Sequence, residues 1–184
     1  MDQPTDIASV RVFLALWPSA PERSALTEWQ TPLQRLAGGR IILGDTLHAT
    51  LVFIGGINSD RLEALQLAAQ EVSTESFELC LAHAHYWGHN HIVYAAPSHM
   101  PLQLADLVGK LEAGLIRHGF QFERRAYKPH ITLLRHALWT DQPLPQMQPV
   151  LWHIRDFALV QSHPGHGTAS YQVLARFPLL ASEA

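Results

Sequence analysis

Cysteine is almost missing from this chain: Cys80 is the only one in 184 residues. No intrachain disulfide can form, and a zinc site built on several thiolates is excluded. Cys80 itself reads as a small buried hydrophobe. Charge is scarce too. Only 16% of the residues are Asp, Glu, Lys or Arg, and the formal net charge is -3 with His neutral. The broad basic surface that wraps nucleic acid by bulk electrostatics is therefore lacking, whereas contact with a single phosphate needs only a few local cations. No apolar run approaches the ~18 residues of a membrane-spanning helix. The opening M-D-Q-P-T-D carries no signal-peptide pattern, and no low-complexity segment occurs. With 47% hydrophobic residues, the composition predicts a globular, cytoplasmic protein in one domain or two small intimate lobes.

Hydrophobic periodicity predicts both strands and helices. Residues 10–17 read as a strand, stopped by Pro18 and Pro21. Residues 21–37 read as a helix opened at Ser19 or Pro21, with Leu26, Trp29, Leu33 and Leu36 at helical spacing and Gly38-Gly39 as its end. A short strand at 40–43, a turn at Gly44-Asp45 and a strand at 47–54 follow. Next come a helix over 59–72 with Ser59 as N-cap, two strands at 77–86 and 91–96 around W-G-H-N, and an amphipathic helix over 101–118 closed by Gly119. The remainder reads as a strand at 130–135, a Pro-rich loop at 138–149 that carries Trp139, and a hairpin of 154–161 with 169–177 whose turn is flanked by His163 and His166. Both halves run strand, helix, strand, helix, further strands. That order predicts two related α+β lobes, each with a mainly antiparallel sheet, and no linker between them.

Histidine, by contrast, is abundant at 12 residues, and two of these sit in the same phrase: L-H-A-T-L-V-F at 47–53 and P-H-I-T-L-L-R at 129–135. Composition alone predicts roughly 0.09 His-x-Thr-Leu matches in such a chain. Residues i and i+2 of a strand share a face, so His48 projects with Thr50 and His130 with Thr132, while Ala49, Leu51, Ile131 and Leu133 turn to a core. One such pair is ordinarily a structural hydrogen-bonding pair. Two in matching strands, facing each other across a cleft, form a set suited to in-line displacement at a phosphodiester. One neutral imidazole takes a proton from water, and the other, as imidazolium, gives one to the departing ribose oxygen. The two hydroxyls donate hydrogen bonds to the non-bridging oxygens as charge develops there. This set needs neither metal nor cofactor.

These residues carry a resemblance. The paired motifs resemble those of the 2H phosphoesterase superfamily. R-V-F-L-A-L near the start, L-H-A-T-L-V-F-I-G, K-P-H-I-T-L-L-R and the final S-Y-Q-V-L are most similar to the bacterial RNA 2′,3′-cyclic phosphodiesterases, also called 2′-5′ RNA ligases or the LigT/ThpR group. The resemblance covers nearly the whole chain. It implies a single bilobal domain over residues 1–184, with pseudo-symmetric antiparallel sheets, outer helices and one motif strand per lobe around a central groove. It implies metal-independent hydrolysis of a ribose 2′,3′-cyclic phosphate to a 2′-phosphomonoester, with reversible 2′-5′ ligation as a companion reaction. His48 is then the proton donor to the 3′ oxygen and His130 the proton acceptor from water, a division that the reverse reaction exchanges. Arg135 matches a phosphate clamp and Phe53 a base-stacking position. Strict strand alternation, however, turns each away from its histidine, leaving a surface charge and a core residue as the other readings. A monomer is expected, with RNA 3′ ends or small cyclic nucleotides as partners.

One more stretch competes. H-A-H-Y-W-G-H-N-H at 83–91 holds four His and has the look of a metal site, but no Asp or Glu stands in it as ligand or as support for one. Tyr86 and Trp87 read as packing or rim residues. The other function classes are a non-catalytic RNA-end-binding module and a His-cluster metalloprotein.

Overall fold

The computed structural model describes residues 8–138, 140–165 and 168–182. Trp139, His166 and the opening segment read above for a signal sequence lie outside them. Among the described residues, nine strands and three α-helices build two antiparallel sheets. The first sheet has the order β3-β1-β8-β9, from Ala49–Asn58 (β3), Ser9–Leu16 (β1), Asp156–His163 (β8) and Ser170–Pro178 (β9). The second has the order β2-β6-β5-β4-β7, from Arg40–Ile41 (β2), Ile131–Arg135 (β6), Ile92–Pro97 (β5), Phe77–Trp87 (β4) and Val150–Ile154 (β7). The α+β class and mainly antiparallel sheets read from the sequence are what the structure has. The two sheets, however, are not the two halves of the sequence. β2 leaves the first half to edge the second sheet, and β8 and β9 return to the first sheet at the end of the chain.

The helices form where their caps and stripes say they should. Helix α1 (Ala20–Ala37) starts behind Ser19, whose backbone N–H donates to the Glu22 carboxylate at 3.1 Å, and it ends at Gly38 with a positive φ of 63°. It buries Leu26, Trp29, Leu33 and Ala37, and among them Gln30. Helix α3 (Leu102–Arg117) buries Leu104, Leu107, Val108, Leu111 and Leu115, with Gly119 at φ 71° beyond its end. Two expectations need correction. Ser59 is not a helix cap: its N–H is held by Ala8 O at 2.9 Å, the chain makes a 3-10 turn over Ser59–Arg61, and helix α2 runs only from Leu62 to Gln70. β7 lay unread at the end of the Pro-rich loop, because its five residues are too short a window for alternation to stand out. Cys80 is only partly buried.

A single core of buried residues joins both sheets and all three helices, with Trp29, Leu14, Leu16, Leu26, Leu33, Leu79 and Leu104 among its largest members. This shared core fixes how the sheets stand relative to each other, and with it the position of the two motif strands. Backbone closeness does the rest at one point. Gly39 sits at φ 83°, and a Cβ there would lie 2.6 Å from Arg135 O and 2.9 Å from Ala137 N. Only glycine lets the turn after α1 approach the end of β6 this closely.

Gly39→Ala is therefore expected to cost about 2–3 kcal/mol through backbone clash and left-handed strain. That is a fall of roughly 5–10 °C in the thermal midpoint, to be read by circular dichroism. An unchanged midpoint would show that the contact is not tight.

Candidate active site

β3 begins at Ala49 and β6 at Ile131, so His48 and His130 are each the residue just before a strand. The two imidazoles are held alike. Nδ1 of His48 lies 2.7 Å from Thr46 O, and Nδ1 of His130 lies 2.7 Å from Lys128 O. A carbonyl oxygen can only accept, so Nδ1 carries the hydrogen in both rings and Nε2 is the nitrogen left to exchange protons. The hydroxyls of Thr50 and Thr132 lie two residues on. All four residues line one cavity of about 570 Å³ between the sheets.

The register of the motif strands removes the parity objection to Phe53 and Arg135. In the β1–β3 pair, Leu14 faces Val52 and Ala15 faces Thr50, so Leu51 is an extra residue in β3. In the β5–β6 pair, Val93 faces Leu134 and Tyr94 faces Thr132, so Leu133 is an extra residue in β6. Each is a β-bulge one position after the motif threonine, and each shifts the alternation by one. Leu51 and Val52 are both buried, as are Leu133 and Leu134, and the third residue after each threonine comes back to the groove. Phe53 and Arg135 thus hold equivalent positions, and both line the cavity with their histidines. The bulge in β6 has a support of its own. Leu133 O accepts from Ile42 N at 3.0 Å and from the side chain of Gln30 at 3.1 Å, while the same Gln30 amide donates to Ile42 O at 2.7 Å. Gln30 is 3% exposed.

The electrostatics of the two rings differ. Burial lowers the pKa of His48 to about 4. The hydrogen bond to Thr46 O acts against that, and the charges of His130 and Arg135 add to it. Burial also lowers the pKa of His130, opposed by its bond to Lys128 O and aided by the charge of Arg125. Aromatic rings surround both. Trp17 stacks on His48 with centroids 5.3 Å apart and planes 9° apart, and Phe13 and Tyr171 stand 5.0 and 5.2 Å away. Trp87 and Tyr94 meet His130 edge-on at 5.1 and 5.6 Å. Arg11, Arg40 and Arg125 join Arg135 in the cavity wall, and the Arg11 guanidinium lies 4.8 Å from the centre of the Phe53 ring.

All six residues singled out from the sequence therefore come together: His48, Thr50, Phe53, His130, Thr132 and Arg135. A second cavity of about 650 Å³ shares Thr50, Phe53, His130, Thr132 and Arg135 with the first and runs on toward Trp87, Tyr127 and Lys128. The groove is thus open on both sides of the motif residues. Sequence reasoning missed Arg11, Arg40 and Arg125, which no local pattern marks, and it missed the bulges. For those a signal existed: T-L-V and T-L-L each set two apolar residues side by side where strict alternation allows one. In the stretch 83–91, His83 and His85 have ring centroids 6.2 Å apart, and among the described residues no group of three or more His, Cys, Asp or Glu is placed to hold a metal ion. No described helix is long and apolar enough to cross a membrane.

Comparison with known proteins gives a consistent picture. The model of the 2′-5′ RNA ligase superfamily matches residues 17–166. The chain is 29% identical to the RNA 2′,3′-cyclic phosphodiesterase of Escherichia coli over 169 residues, covering 92% of this chain and 96% of that one. It is 30% identical to the protein of the same name from Thermus thermophilus, covering 92% and 90%. The crystal structure of E. coli LigT complexed with 3′-AMP superposes with a TM-score of 0.84 at 28% identity, over 94% of this chain and 99% of that chain.

The support under the β6 bulge is testable. Gln30→Leu removes the amide bonded to one buried and one part-buried carbonyl and is expected to cost about 1–3 kcal/mol in urea unfolding. Because it loosens the strand that carries Thr132 and Arg135, catalytic rate is expected to fall about tenfold or more in the fraction that stays folded. A variant as stable and as active as the parent would show that the bulge holds without it.

Proposed function

The chain belongs to the 2′-5′ RNA ligase superfamily, and from that premise we propose that it hydrolyses RNA 2′,3′-cyclic phosphate ends to 2′-phosphomonoesters, with His48 and His130 as the proton-transferring pair. The observation that carries this reading is the matched hold on the two rings, each with Nδ1 fixed on a carbonyl two residues back and a threonine hydroxyl beside it. Water attacks phosphorus as His130 Nε2 takes its proton. The bond from phosphorus to the 3′ oxygen breaks, and protonated His48 gives its Nε2 proton to that oxygen, so the phosphate stays on the 2′ oxygen. Thr50 and Thr132 donate to the non-bridging oxygens, and Arg135 supplies a fixed positive charge in the same cavity wall. Phe53, backed by Arg11, offers its ring to the terminal base. Two imidazoles and fixed donors suffice for these steps without a metal ion. An RNA 5′-hydroxyl in place of water would close a 2′-5′ linkage by the same transfers. The relatives' names and the family support the substrate class. We further propose that the protein works as a cytoplasmic monomer.

The deciding assay is turnover of a short RNA ending in a 2′,3′-cyclic phosphate in excess EDTA. Gain of one water, a phosphate left on the 2′ oxygen, and a fall of at least about 100-fold in both His48→Ala and His130→Ala are expected. Near-normal activity in either variant would overturn the two-histidine reading. Binding without turnover would mark a module that only holds RNA ends, and turnover of small cyclic nucleotides alone would move the substrate.

The pH profile follows from the burial of the rings. Activity needs one ring neutral and the other charged, so kcat/KM is bell-shaped between the two free-protein pKa values. Both lie below the ordinary imidazole value of about 6.5, His48 the lower at about 4. The maximum is therefore expected on the acid side of 6.5, with a fall of about tenfold per pH unit above the upper pKa, where the pair loses its last proton. In kcat the bell is displaced upward, because the bound phosphodiester anion favours both imidazolium forms. A kcat/KM flat across pH 4 to 9 would contradict the mechanism.

A further inference from the structure

The rings around the two histidines are arranged differently. Around His48 they close on themselves: Phe13, Trp17 and Tyr171 each face the imidazole, and Tyr171 meets Phe13 at 5.5 Å and Trp17 at 6.2 Å. Around His130 they lead away. Tyr94 lies 5.6 Å from His130, His85 lies 5.5 Å from Tyr94, and His83 lies 6.2 Å from His85. Trp87 sits beside this line, 4.8 Å from Tyr94 and 5.1 Å from His130. The strand register explains the line. Thr132 pairs with Tyr94 and Tyr94 with His85, so motif, tyrosine and histidine form one cross-strand row on the groove face of the second sheet. Unbroken alternation from His83, which pairs with Ala96, to His85 puts both histidines on the same side of β4. His83 and His85 are exposed, and Tyr94 and Trp87 are partly so. The Lys128 ammonium stands 5.7 Å from the Trp87 ring centre, a cation placed for a passing phosphate.

We propose that this row is a track for single-stranded RNA, on which the nucleotides upstream of the cyclic-phosphate terminus lie across β6, β5 and β4 and stack on Tyr94, His85 and His83. The inference rests on the reaction proposed above and names its substrate more closely: an oligoribonucleotide end in preference to a mononucleoside cyclic phosphate. Every base has a π face, so a line of rings on a sheet accepts bases without reading their sequence. The occupant is chosen by continuity, because the row begins at His130 and Thr132, where the terminal phosphate would sit. Two of the four histidines of residues 83–91 thereby gain a role.

The experiment compares adenosine 2′,3′-cyclic monophosphate with a pentanucleotide RNA ending in a 2′,3′-cyclic phosphate, in the full chain and in the double variant His83→Ala/His85→Ala. The pentanucleotide is expected to have a KM about tenfold lower or better in the parent, since stacking of one base is worth roughly that factor. In the double variant the ratio of kcat/KM, pentanucleotide over mononucleotide, is expected to fall about tenfold through KM, and His85→Phe, which keeps a ring, is expected to retain most of it. Equal KM for both substrates in the parent, or a ratio untouched by the double variant, overturns the track. Failure of the reaction itself reads differently: neither substrate turns over. Fluorescence anisotropy with the pentanucleotide bearing a 2′-phosphate then decides the track alone, by whether the double variant binds it about tenfold more weakly or equally well.

Discussion

The extra residue just after each motif threonine governs the rest of this site. Without the bulges at Leu51 and Leu133, strict alternation would aim Phe53 and Arg135 into the interior, and each strand would offer the groove only a histidine and a threonine. With them, each strand offers an imidazole, a hydroxyl and a third group three residues beyond the hydroxyl. The irregularity costs a ladder of hydrogen bonds its continuity. The protein recovers part of that cost in β6 by turning Leu133 O toward Ile42 N and the buried Gln30 amide. Helix α1 thus reaches the active groove without contributing a residue to it.

The matched hold on His48 and His130 makes the two rings chemically alike, and burial then makes them unlike. Both have Nδ1 committed to a carbonyl, so tautomer does not tell them apart. His48 sits deeper among rings and next to other positive charge, and it gives up its proton more readily than His130. The charge of Arg135 adds to this at His48, and that of Arg125 lowers His130 in turn. An anion entering the groove acts the other way on both rings, favouring the charged form of each.

The sequence displayed the paired motifs plainly and the scaffold unevenly. His48, Thr50, His130 and Thr132 were legible because a duplicated phrase survives any error in strand boundaries. Helices α1 and α3 were legible from stripe and cap. β7 was not, because five residues give alternation too little room. Phe53 and Arg135 were recognised by resemblance but misplaced by parity, although T-L-V and T-L-L already held the doubled apolar residue that signals a bulge. The sheet membership of β2, β8 and β9 was beyond reach, since pairing partners far apart along the chain leave no local mark. For the same reason Arg11, Arg40 and Arg125 looked like any surface charge until the sheets brought them together.

The return of β8 and β9 to the first sheet bears on how the molecule comes into being on the ribosome. β1 emerges well before β8, so one of its edges waits for a strand some 140 residues later along the chain. Until then the first sheet is a two-stranded ribbon with an open apolar edge, while the second sheet can already assemble around β6. The pocket around His48 needs Tyr171 from β9, so it is the last part of the groove to be built. An incomplete chain can therefore hold one histidine in its working setting and still lack the other.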